Sequence, residues 1–385
     1  MHNTSFNFVR NDIEHYPISP NAWALVALEA WRRGLQVTIG QDWKFILSST
    51  DKSITFKLSR LDGTDEAKKS SQICSNKTKT KLYLDANNVP TPLGYNFKQE
   101  INLTTILQCA QKLGYPVCLK ANGWSKGKGV YPFITNEDEL KKNFNLLVNH
   151  LNCEDICLEK HILGDDYRVY VVGNKVVSAL RRIPANILGN GKNSINELII
   201  QKNSQRKKNP FLKNSLVNID SEIQDKLNSS GYSLETILDN GKCFYLRNKS
   251  NASAGGDTID VTDSISEKHK AIAIRAISSI PGLQHGGVDI LTEDIKSDTS
   301  NTTVLEINLA AELGVNIYPF SGTARLIYKD IIDFYFPDTT KVETNSINNW
   351  YFNLKTPLGT LKNKIAKTIE IPPRPAPQPH TTAKS

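Results

Sequence analysis

Residues 115–130 read YPVCLKANGWSKGKGV: an apolar strand that ends in Lys120, a loop with glycines from Gly123 to Gly129, and the start of a second strand at Val130. Glycines let backbone N–H groups approach phosphate oxygens closely, and the lysine adds a positive charge beside them. The loop is not a Walker motif, because its Gly-Lys is not followed by Ser or Thr. It is not a dinucleotide fingerprint either, because a strand follows it rather than a helix. By itself the stretch fits either a phosphate-binding loop or an ordinary turn.

Two later strands carry the oxygen-bearing side chains expected of a magnesium site. Asp289 lies within HGGVDIL, and Glu306 and Asn308 lie two residues apart in VLEINL, so in a strand both point to one face. Carboxylate and amide oxygens suit Mg²⁺ that also binds triphosphate oxygens. Burying Asp289 in so apolar a strand would be costly without a cation partner, which is either Mg²⁺ or a nearby lysine or arginine.

The segment CLEKHI from Cys157 to Ile162, followed by Gly164-Asp165-Asp166, fits the remaining parts of a nucleotide site. A strand edge offers backbone N–H and C=O groups to an adenine ring. A carboxylate a few residues later can accept hydrogen bonds from ribose hydroxyls. The spacing alone does not distinguish this arrangement from an ordinary strand.

Arginines near two strand ends suggest phosphoryl chemistry. Arg181 and Arg182 end one predicted strand, and Arg247 and Asn251 precede Ala254-Gly255-Gly256. Arginines aimed at a transferring phosphoryl group would stabilise its charge as it moves. Surface salt bridges are the alternative for each of them.

Taken in order, these motifs resemble those of the ATP-grasp enzymes: NKTKTKLYLDANNVPTP, YPVCLKANGWSKGKGV, LEKHILGDDYRVYVV, GVDI and LEIN. More specifically, ALRRIPANILGNGKNSINELI and NASAGGDTIDVTD are similar to the ATP-grasp region of cyanophycin synthetase and of the bifunctional glutathione synthetases. The likeness runs from Asn76 to Pro337 and includes a long insert that generic ATP-grasp enzymes lack. It implies an α/β (α+β) chain with the ATP-grasp fold, in which two α+β subdomains grip ATP after a small α/β N-terminal lobe.

The resemblance implies nucleotide-binding roles at the positions that match the family's motifs. These positions are Lys77, Lys120, Gly123, Ser125, Gly127, Gly129, Glu159, Lys160, Ile162 and Asp166. The two lysines look like the ATP-phosphate lysines, and residues 123–129 look like the loop that closes over the triphosphate. Residues 159–162 would form the adenine hinge, and Asp166 would bind the ribose.

The resemblance also implies a metal site and a transfer site. The residues implied to bind two Mg²⁺ ions, with Mn²⁺ as an alternative, are Asp289, Glu306 and Asn308. In the catalytic set of Lys120, Arg182 and Asn251, the arginine would face the γ-phosphate and the acyl-phosphate, and the asparagine would border the site of transfer. Related enzymes often carry an arginine just before that asparagine, and here the nearest candidates are Lys249 and Arg247.

The implied function is that of an ATP-dependent carboxylate–amine ligase, an acid–amino-acid ligase. Its partners would be ATP, a carboxylate and an amine, both amino acids or small peptides, joined as an amide through an acyl-phosphate with release of ADP and phosphate. The alternative is an ATP-binding regulatory protein of the same fold without ligase turnover. After LEIN the chain reads LAAELGVNIYPFSG, where cyanophycin synthetase is usually richer in proline, histidine and methionine. Because residues 310–321 should line the acceptor pocket, we expect a different substrate.

The composition is that of an ordinary globular protein of 385 residues, with 39% hydrophobic and 22% charged residues. No apolar run approaches the ~20 residues that span a bilayer, and the N-terminus has no basic stretch before an apolar core. We therefore expect no membrane contact and a cytoplasmic location. The six cysteines are too scattered for a zinc site. A homo-oligomer is compatible with the sequence, although no residue demonstrates one.

The formal charge of +8 fits either nucleic-acid binding or a pocket for polyanions such as ATP. The densest basic cluster is KNSQRKK, from Lys202 to Lys208, and no aromatic residues alternate with it. This composition argues against nucleic acid as a partner and favours the ATP pocket.

These patterns predict four segments along the chain. They are an N-terminal lobe at 1–74, two ATP-grasp subdomains at 75–153 and 154–337, and a C-terminal extension at 338–385 with a proline-rich, disordered tail. The second subdomain carries the insert, residues 184–260. We expect the insert to be polar and rich in loops from Ala185 to Lys249, with one short helix near Ile195 to Ile200.

Overall fold

The computed structural model describes residues 24–39, 44–98, 101–124, 128–339 and 369–371. The chain divides into two compact units, and the larger unit contains residues 65–327. The described residues before 65 and after 327 belong to the smaller unit. The boundaries predicted after residues 74, 153 and 337 stay predictions. The strand that apolar residues predict at 6–9, and the proline-rich tail from residue 372 onward, lie outside the described residues.

The smaller unit is an antiparallel sheet with helices. Its described elements are helix α1 (Ala24–Arg32), strands β1 (Gln36–Ile39), β2 (Lys44–Ser48), β3 (Ser53–Lys57), β4 (Arg60–Asp62) and β16 (Ile369–Ile371), in the order β16-β1-β2-β3-β4, and helix α10 (Ile327–Tyr335). Phe45 and Phe56 stack in its core, with ring centroids 5.2 Å apart. Buried Arg33, just after α1, donates to Glu29 at 2.9 Å and to Asp333 at 2.5 Å. Apolar spacing in the sequence predicts a helix from Asn21 to Arg33 and strands at Leu35–Ile39 and Ile54–Leu58. Within the described residues these predictions match α1, β1 and β3, and strands β2, β4 and β16 are additional.

The first half of the larger unit is a four-stranded antiparallel sheet covered by two helices. Its elements are β5 (Gly94–Lys98), β6 (Val117–Ala121), β7 (Val130–Ile134) and β8 (Asp155–Lys160), in the order β5-β8-β6-β7, with α4 (Leu103–Leu113) and α5 (Glu137–Phe144), which continues as a π-helical turn (Asn145–His150). Asn102 caps the start of α4, and Gly114, with a φ of 71°, ends it. The prediction of a returning strand after the glycine loop is confirmed, because β7 pairs with β6.

The second half is a five-stranded antiparallel sheet with two chemically different faces. Its strands are β9 (Asp165–Val172), β10 (Lys175–Ile183), β13 (Asp257–Asp260), β14 (His285–Thr292) and β15 (Thr303–Asn308), in the order β13-β10-β9-β14-β15. Alternate residues, such as Val169 and Val288, join an apolar core with helix α8 (Glu267–Ser278). The residues between them, such as Arg168 and Asp289, lie on the opposite, polar face. Because of this alternation, one face of the sheet is polar and can form a binding site.

Two short helices precede the four-stranded sheet. They are α2 (Asp65–Cys74) and α3 (Lys77–Ala86). Ile73 of α2 and Leu84 of α3 are buried in the core of the five-stranded sheet, and Val304 of β15 donates its N–H to Pro90 O at 2.8 Å. Helix α2 thus packs within the larger unit, although its residues fall in the segment predicted as the N-terminal lobe.

The prediction of a loop-rich insert from Ala185 to Lys249 with one short helix is wrong, because the insert contains more regular structure. The insert contains β11 (Asn186–Leu188), α6 (Ile195–Lys208), α7 (Ser221–Ser229) and β12 (Cys243–Tyr245). They enclose their own core, which includes Ile187, Ile195, Ile223, Leu238 and Leu246. The short helix predicted near Ile195 exists but runs to Lys208, and its second half buries Arg206 rather than an apolar residue. Apolar periodicity therefore predicts a helix that ends near Ile200, before its actual end at Lys208.

None of the helices in the described parts of the chain combines the length and the apolar character needed to span a bilayer. The basic cluster from Lys202 to Lys208 is partly internal. Lys202 pairs with Asp257 at 2.5 Å, and Arg206 is fully buried. These contacts use two of the cluster's charges inside the protein.

Candidate active site

The start of α3 is tied to the glycine loop. Asn76 caps the helix by accepting from Lys79 N at 2.9 Å. The backbone N–H of Lys77 donates to Asn122 Oδ1 at 2.8 Å, and Lys77 Nζ donates to Trp124 O at 2.9 Å. Since Asn122 follows β6 directly, these bonds bring Lys77 and the strand of Lys120 together. Asn122 is 7% exposed and was not singled out from the sequence, because a lone asparagine after a strand carries no motif.

Lys120 is paired with the residue predicted to begin the adenine hinge. The register of β6 and β8 places Lys120 opposite Cys157 and Cys118 opposite Glu159, so Lys120 and Glu159 share a face. Lys120 Nζ lies 2.5 Å from Glu159 Oε2. Burial alone would lower the pKa of Lys120, but the charge and hydrogen bond of Glu159, together with the nearby Cys118 and Cys157, raise that pKa. Lys120 is therefore a fixed positive charge that a phosphate could take over from Glu159.

The other hinge residues have structural contacts. Lys160 Nζ donates to Gly114 O at 2.9 Å and to Tyr115 O at 3.2 Å, just beyond the end of α4. The backbone N–H of His161 donates to Pro116 O at 3.1 Å. These contacts hold the segment that leads to Ile162, while the adenine role of all three predicted hinge residues stays a prediction.

The glycine loop closes tightly at its second end. The N–H of Ala121 donates to Gly129 O at 2.7 Å. Gly129 has a φ of 62°, and a Cβ there would lie 2.7 Å from the Cβ of Ala121, so the position requires glycine. At Gly123, which has a φ of 75°, a Cβ would lie 3.9 Å from Ser75 O, an ordinary van der Waals distance. Ser125 and Gly127 lie outside the described residues.

The three predicted metal ligands come together on the polar face of the five-stranded sheet. Asp289 of β14 is paired with Glu306 of β15, and Asn308 Nδ2 donates to Glu306 Oε1 at 3.2 Å. Burial, and then the charge of Asp289, raise the pKa of Glu306. Two neighbouring carboxylates with this electrostatic conflict and an amide oxygen beside them suit a divalent cation by donor chemistry. Within the described ranges, no three His, Cys, Asp or Glu side chains cluster as a metal site, so this set is two carboxylates and an amide.

Two arginines hold Asp289. Arg168 Nε and Nη2 donate to Asp289 Oδ1 and Oδ2 at 2.7 and 2.8 Å, and Arg182 Nη2 donates to Oδ2 at 2.9 Å. Burial would raise the pKa of Asp289, but these two positive charges lower it. Arginine therefore satisfies Asp289, which was one of the two alternatives for its cation partner. Asp289 also lies beside Glu306. Arg168 was not predicted as a site residue. Its position two residues after Asp166 on β9 nevertheless indicates that both side chains lie on the same face of the sheet.

Arg182 also contacts the predicted ribose carboxylate. Its Nε and Nη2 donate to Asp166 Oδ1 at 3.1 and 2.5 Å, and Ser250 Oγ donates to Asp166 Oδ2. Burial would lower the pKa of Arg182, whereas Asp289 and Asp166 together raise it. Arg182 therefore bridges two predicted site residues, and Asp166 already has partners on both of its oxygens.

The segment from Ser250 to Gly256 brings Asn251 next to this network. Asn251 Oδ1 accepts from Ser253 Oγ at 2.9 Å, and a Cβ at Gly256 would lie 2.8 Å from Asn251 O and 2.9 Å from Ile183 O. The loop therefore packs its backbone against the end of β10. Arg247, one of the candidates for the missing arginine, instead donates to Asp220 at 2.6 Å and to Glu222 at 2.5 Å within the insert.

A cleft joins residues from both sheets of the larger unit. Lys77, Glu159 and Glu306 line it together. Its remaining lining residues are Cys74, Thr80, Lys81, Leu84, Thr91, Pro92, Val304 and Leu305. We call Asp289, Glu306 and Asn308 the acidic centre. Lys77, Glu159 of the hinge strand and Glu306 of the acidic centre thus face one cavity.

The sequence is similar to two kinds of larger protein. It is 30% identical over 271 residues to a cyanophycin synthetase of Geminocystis herdmanii, covering 69% of this chain and 31% of that protein. It is 26% identical over 317 residues to the glutathione biosynthesis bifunctional protein GshAB of Clostridium perfringens, covering 81% of this chain and 40% of that protein. The chain thus spans well under half the length of these relatives. No family model matches it.

A solved structure agrees with the sequence likeness. A bifunctional glutathione synthetase from Pasteurella multocida superposes with a TM-score of 0.57 at 24% identity, covering 77% of this chain and 41% of that one. The chain has the ATP-grasp fold. Within this ATP-grasp region the four-stranded and five-stranded sheets are the two α+β halves, so the fold expected from the motifs is confirmed.

Proposed function

We propose that this ATP-grasp chain is an ATP-dependent carboxylate–amine ligase that joins amino acids or small peptides through an acyl-phosphate. The observation that carries the proposal is the pairing of Asp289 with Glu306 beside two partly buried arginines, Arg168 and Arg182, in one network. A purely structural sheet gains little from concentrating so many charges on one face, because each must be desolvated. The names of the relatives, a cyanophycin synthetase and a bifunctional glutathione biosynthesis protein, support the same reaction class.

In the proposed reaction, an oxygen of the substrate carboxylate bonds to the γ-phosphorus of ATP, and ADP leaves. The amine nitrogen then attacks the acyl carbon, phosphate leaves, and the amine loses a proton. Lys77 and Lys120 would neutralise phosphate charge, and Arg182 would stabilise the transferring phosphoryl group. Mg²⁺, held by Asp289, Glu306 and Asn308, would supply further charge neutralisation. Positioning and electrostatics suffice, so no covalent nucleophile of the protein is required.

Further parts of the proposal concern the surroundings of the reaction. Two Mg²⁺ ions, with Mn²⁺ as a substitute, match the oxygen donors at the acidic centre. The carboxylate is proposed to be an amino acid or short peptide, and the amine an amino acid. A cytoplasmic location and a homo-oligomer stay predictions.

The test is a mass-spectrometric screen of amino-acid and dipeptide pairs for new amides, with ATP and Mg²⁺ and parallel measurement of released phosphate. Glu306→Gln should lower product formation by about 100-fold or more, because the variant loses a carboxylate that would hold Mg²⁺ beside the reacting phosphates. Glu267→Gln is the matched control, since Glu267 is exposed on α8, on the opposite side of the sheet. It should keep wild-type activity.

The same screen separates the ligase from an ATP-binding regulatory protein of the same fold. Tight ATP binding with no amide from any pair would favour the regulatory protein. Equal turnover by Glu306→Gln and wild type would contradict the assignment of the acidic centre.

A further inference from the structure

The last turn of α6 and the residues after it hold the segment expected to line the amine side of the site. Asn209 is 1% exposed, and its Nδ2 donates to Tyr318 O at 3.1 Å and to Pro319 O at 3.2 Å. Its Oδ1 accepts from the N–H groups of Phe211 at 2.9 Å and Leu212 at 3.0 Å. The amide therefore uses both of its donors on residues 318–319 and its acceptor on its own turn.

Two further contacts join the insert to the same segment. A side chain at Gly314, the first residue of helix α9 (Gly314–Ile317), would overlap the ring of Phe211. Lys202 Nζ lies 5.1 Å from the centroid of the Phe320 ring. The insert thus contacts residues 310–321 near their middle and near their end.

This segment covers the polar face next to the acidic centre. It begins two residues after Asn308, and a Cβ at Gly287, two residues before Asp289, would lie 2.9 Å from the Cβ of Ala311. Asn316 is fully buried and accepts from Ser178 Oγ at 2.9 Å. Residues 310–321 therefore form a wall beside the predicted metal ligands, and its position depends on what holds it.

The same turn of α6 also holds the loop of Asn251. The fully buried Arg206 donates to Ala252 O at 3.0 Å, to Gly256 O at 3.0 Å and to Asp257 Oδ1 at 3.2 Å. Three residues apart on the chain, Arg206 and Asn209 thus grip two different loops of the site through their main-chain carbonyls. Main-chain acceptors tie the backbone path itself, whatever side chains the loops carry.

We propose that Asn209 is a positioning residue for the amine substrate, and that the insert, rather than either sheet, determines which amine reacts. The inference rests on the proposed ligase function. An amine that attacks an acyl carbon must be held at a defined distance and angle, and a displacement of about 1 Å can cost about 100-fold in rate. The wall formed by residues 310–321 can supply that precision only if it is itself anchored.

The test is Asn209→Asp. The carboxylate keeps the acceptor for the N–H groups of Phe211 and Leu212 but turns an oxygen, instead of a donor, toward the carbonyls of Tyr318 and Pro319. The control is Asn190→Asp, in the same insert. Asn190 Oδ1 likewise accepts two N–H groups, from Lys192 at 3.0 Å and Asn193 at 2.8 Å, and its Nδ2 bonds only locally, to Asn193.

The readout compares two amines. With the amino acids and dipeptides of the screen as carboxylates, hydroxylamine traps the acyl-phosphate as a hydroxamate and is too small to need an ordered wall. We expect Asn209→Asp to lose about 10- to 100-fold in amide formation with amino-acid amines while hydroxamate formation and ATP affinity stay within about twofold. Asn190→Asp should leave both products unchanged. Equal losses of hydroxamate and amide, or no loss of amide, would overturn the proposal.

Two additions keep the test decisive. Phe211→Ala removes the contact with Gly314 without burying a charge, so it should show the same split between products even if Asn209→Asp folds poorly. Hydrogen–deuterium exchange of residues 310–321 without ligands should rise in Asn209→Asp and not in Asn190→Asp. If wild type forms neither hydroxamate nor amide, the proposed function fails, while unchanged exchange in Asn209→Asp refutes the anchoring on its own.

Discussion

The two sheets of the larger unit both bury charge, but in different ways. On the four-stranded sheet Lys120 and Glu159 form a pair at 2.5 Å. On the five-stranded sheet Asp289 takes bonds from Arg168 and Arg182, and Arg182 continues to Asp166. A pair can release one member to a ligand, whereas a network keeps its geometry with or without one. We infer that the first sheet offers an exchangeable charge and the second a preorganised frame.

The largest expected effect on the unfolding free energy is at the network of Asp289, Arg168 and Arg182. Asp289→Ala removes the buried carboxylate that the partly buried Arg168 and Arg182 share. Breaking such an ionic contact costs about 3–5 kcal/mol of unfolding free energy. Urea unfolding of wild type and variant measures it. A loss below about 1 kcal/mol would mean that the network is not a structural unit.

A smaller effect is expected at the exchangeable pair. Lys120→Met leaves Glu159 unpaired in a site where its side chain is 12% exposed, and should cost about 2–3 kcal/mol. The double variant Lys120→Met/Glu159→Leu should recover most of that stability, because no unpaired charge remains. Its ATP affinity, measured by calorimetry, should nevertheless stay about tenfold or more below wild type. Recovery of ATP binding in the double variant would remove Lys120 from the phosphate site.

At the acidic centre we expect a substitution to change the unfolding free energy with the opposite sign. Glu306→Gln removes a carboxylate next to Asp289, whose charge helps to raise the pKa of Glu306. Without ligands the variant should be as stable as wild type or more stable by up to about 1 kcal/mol, a trade typical of functional sites. Thermal unfolding without metal or ATP checks this. A clear loss of stability would show that Glu306 is a structural partner instead.

The smallest effect is expected at an exposed pair on the same strand as Arg168. Asp165 lies 2.7 Å from Arg181, with side chains 38% and 39% exposed. Asp165→Asn should change the unfolding free energy by about 0–1 kcal/mol, and the difference should shrink at high salt. The urea and salt series used for Asp289→Ala can include it as the matched control. A cost comparable to that of Asp289→Ala would mean that burial does not separate the two pairs.

Much of the fold was predictable where local patterns repeat. Helix α4 spans Leu103 to Leu113 as its capping asparagine and terminal glycine indicate, and β7 spans Val130 to Ile134 as predicted. The two apolar strands that carry Asp289 and Glu306 were predictable, and the structure shows that they pair. What was missed lacked a local signal: Asn122 and Arg168 matter because of residues 45 and 121 positions away. The insert was misjudged because its core collects single apolar residues from a long, polar stretch.

The sequence by itself determined the order of the elements, the ATP-grasp motifs and the alternation that gives the five-stranded sheet one apolar and one polar face. These properties depend on neighbours along the chain, so spacing reveals them. Only the tertiary structure decided which charges meet: that Lys120 takes Glu159, that Arg168 and Arg182 share Asp289, and that Arg206 and Asn209 grip the loops of the site. Such choices depend on desolvation, which forces each buried polar group to find a partner wherever the fold brings one within reach.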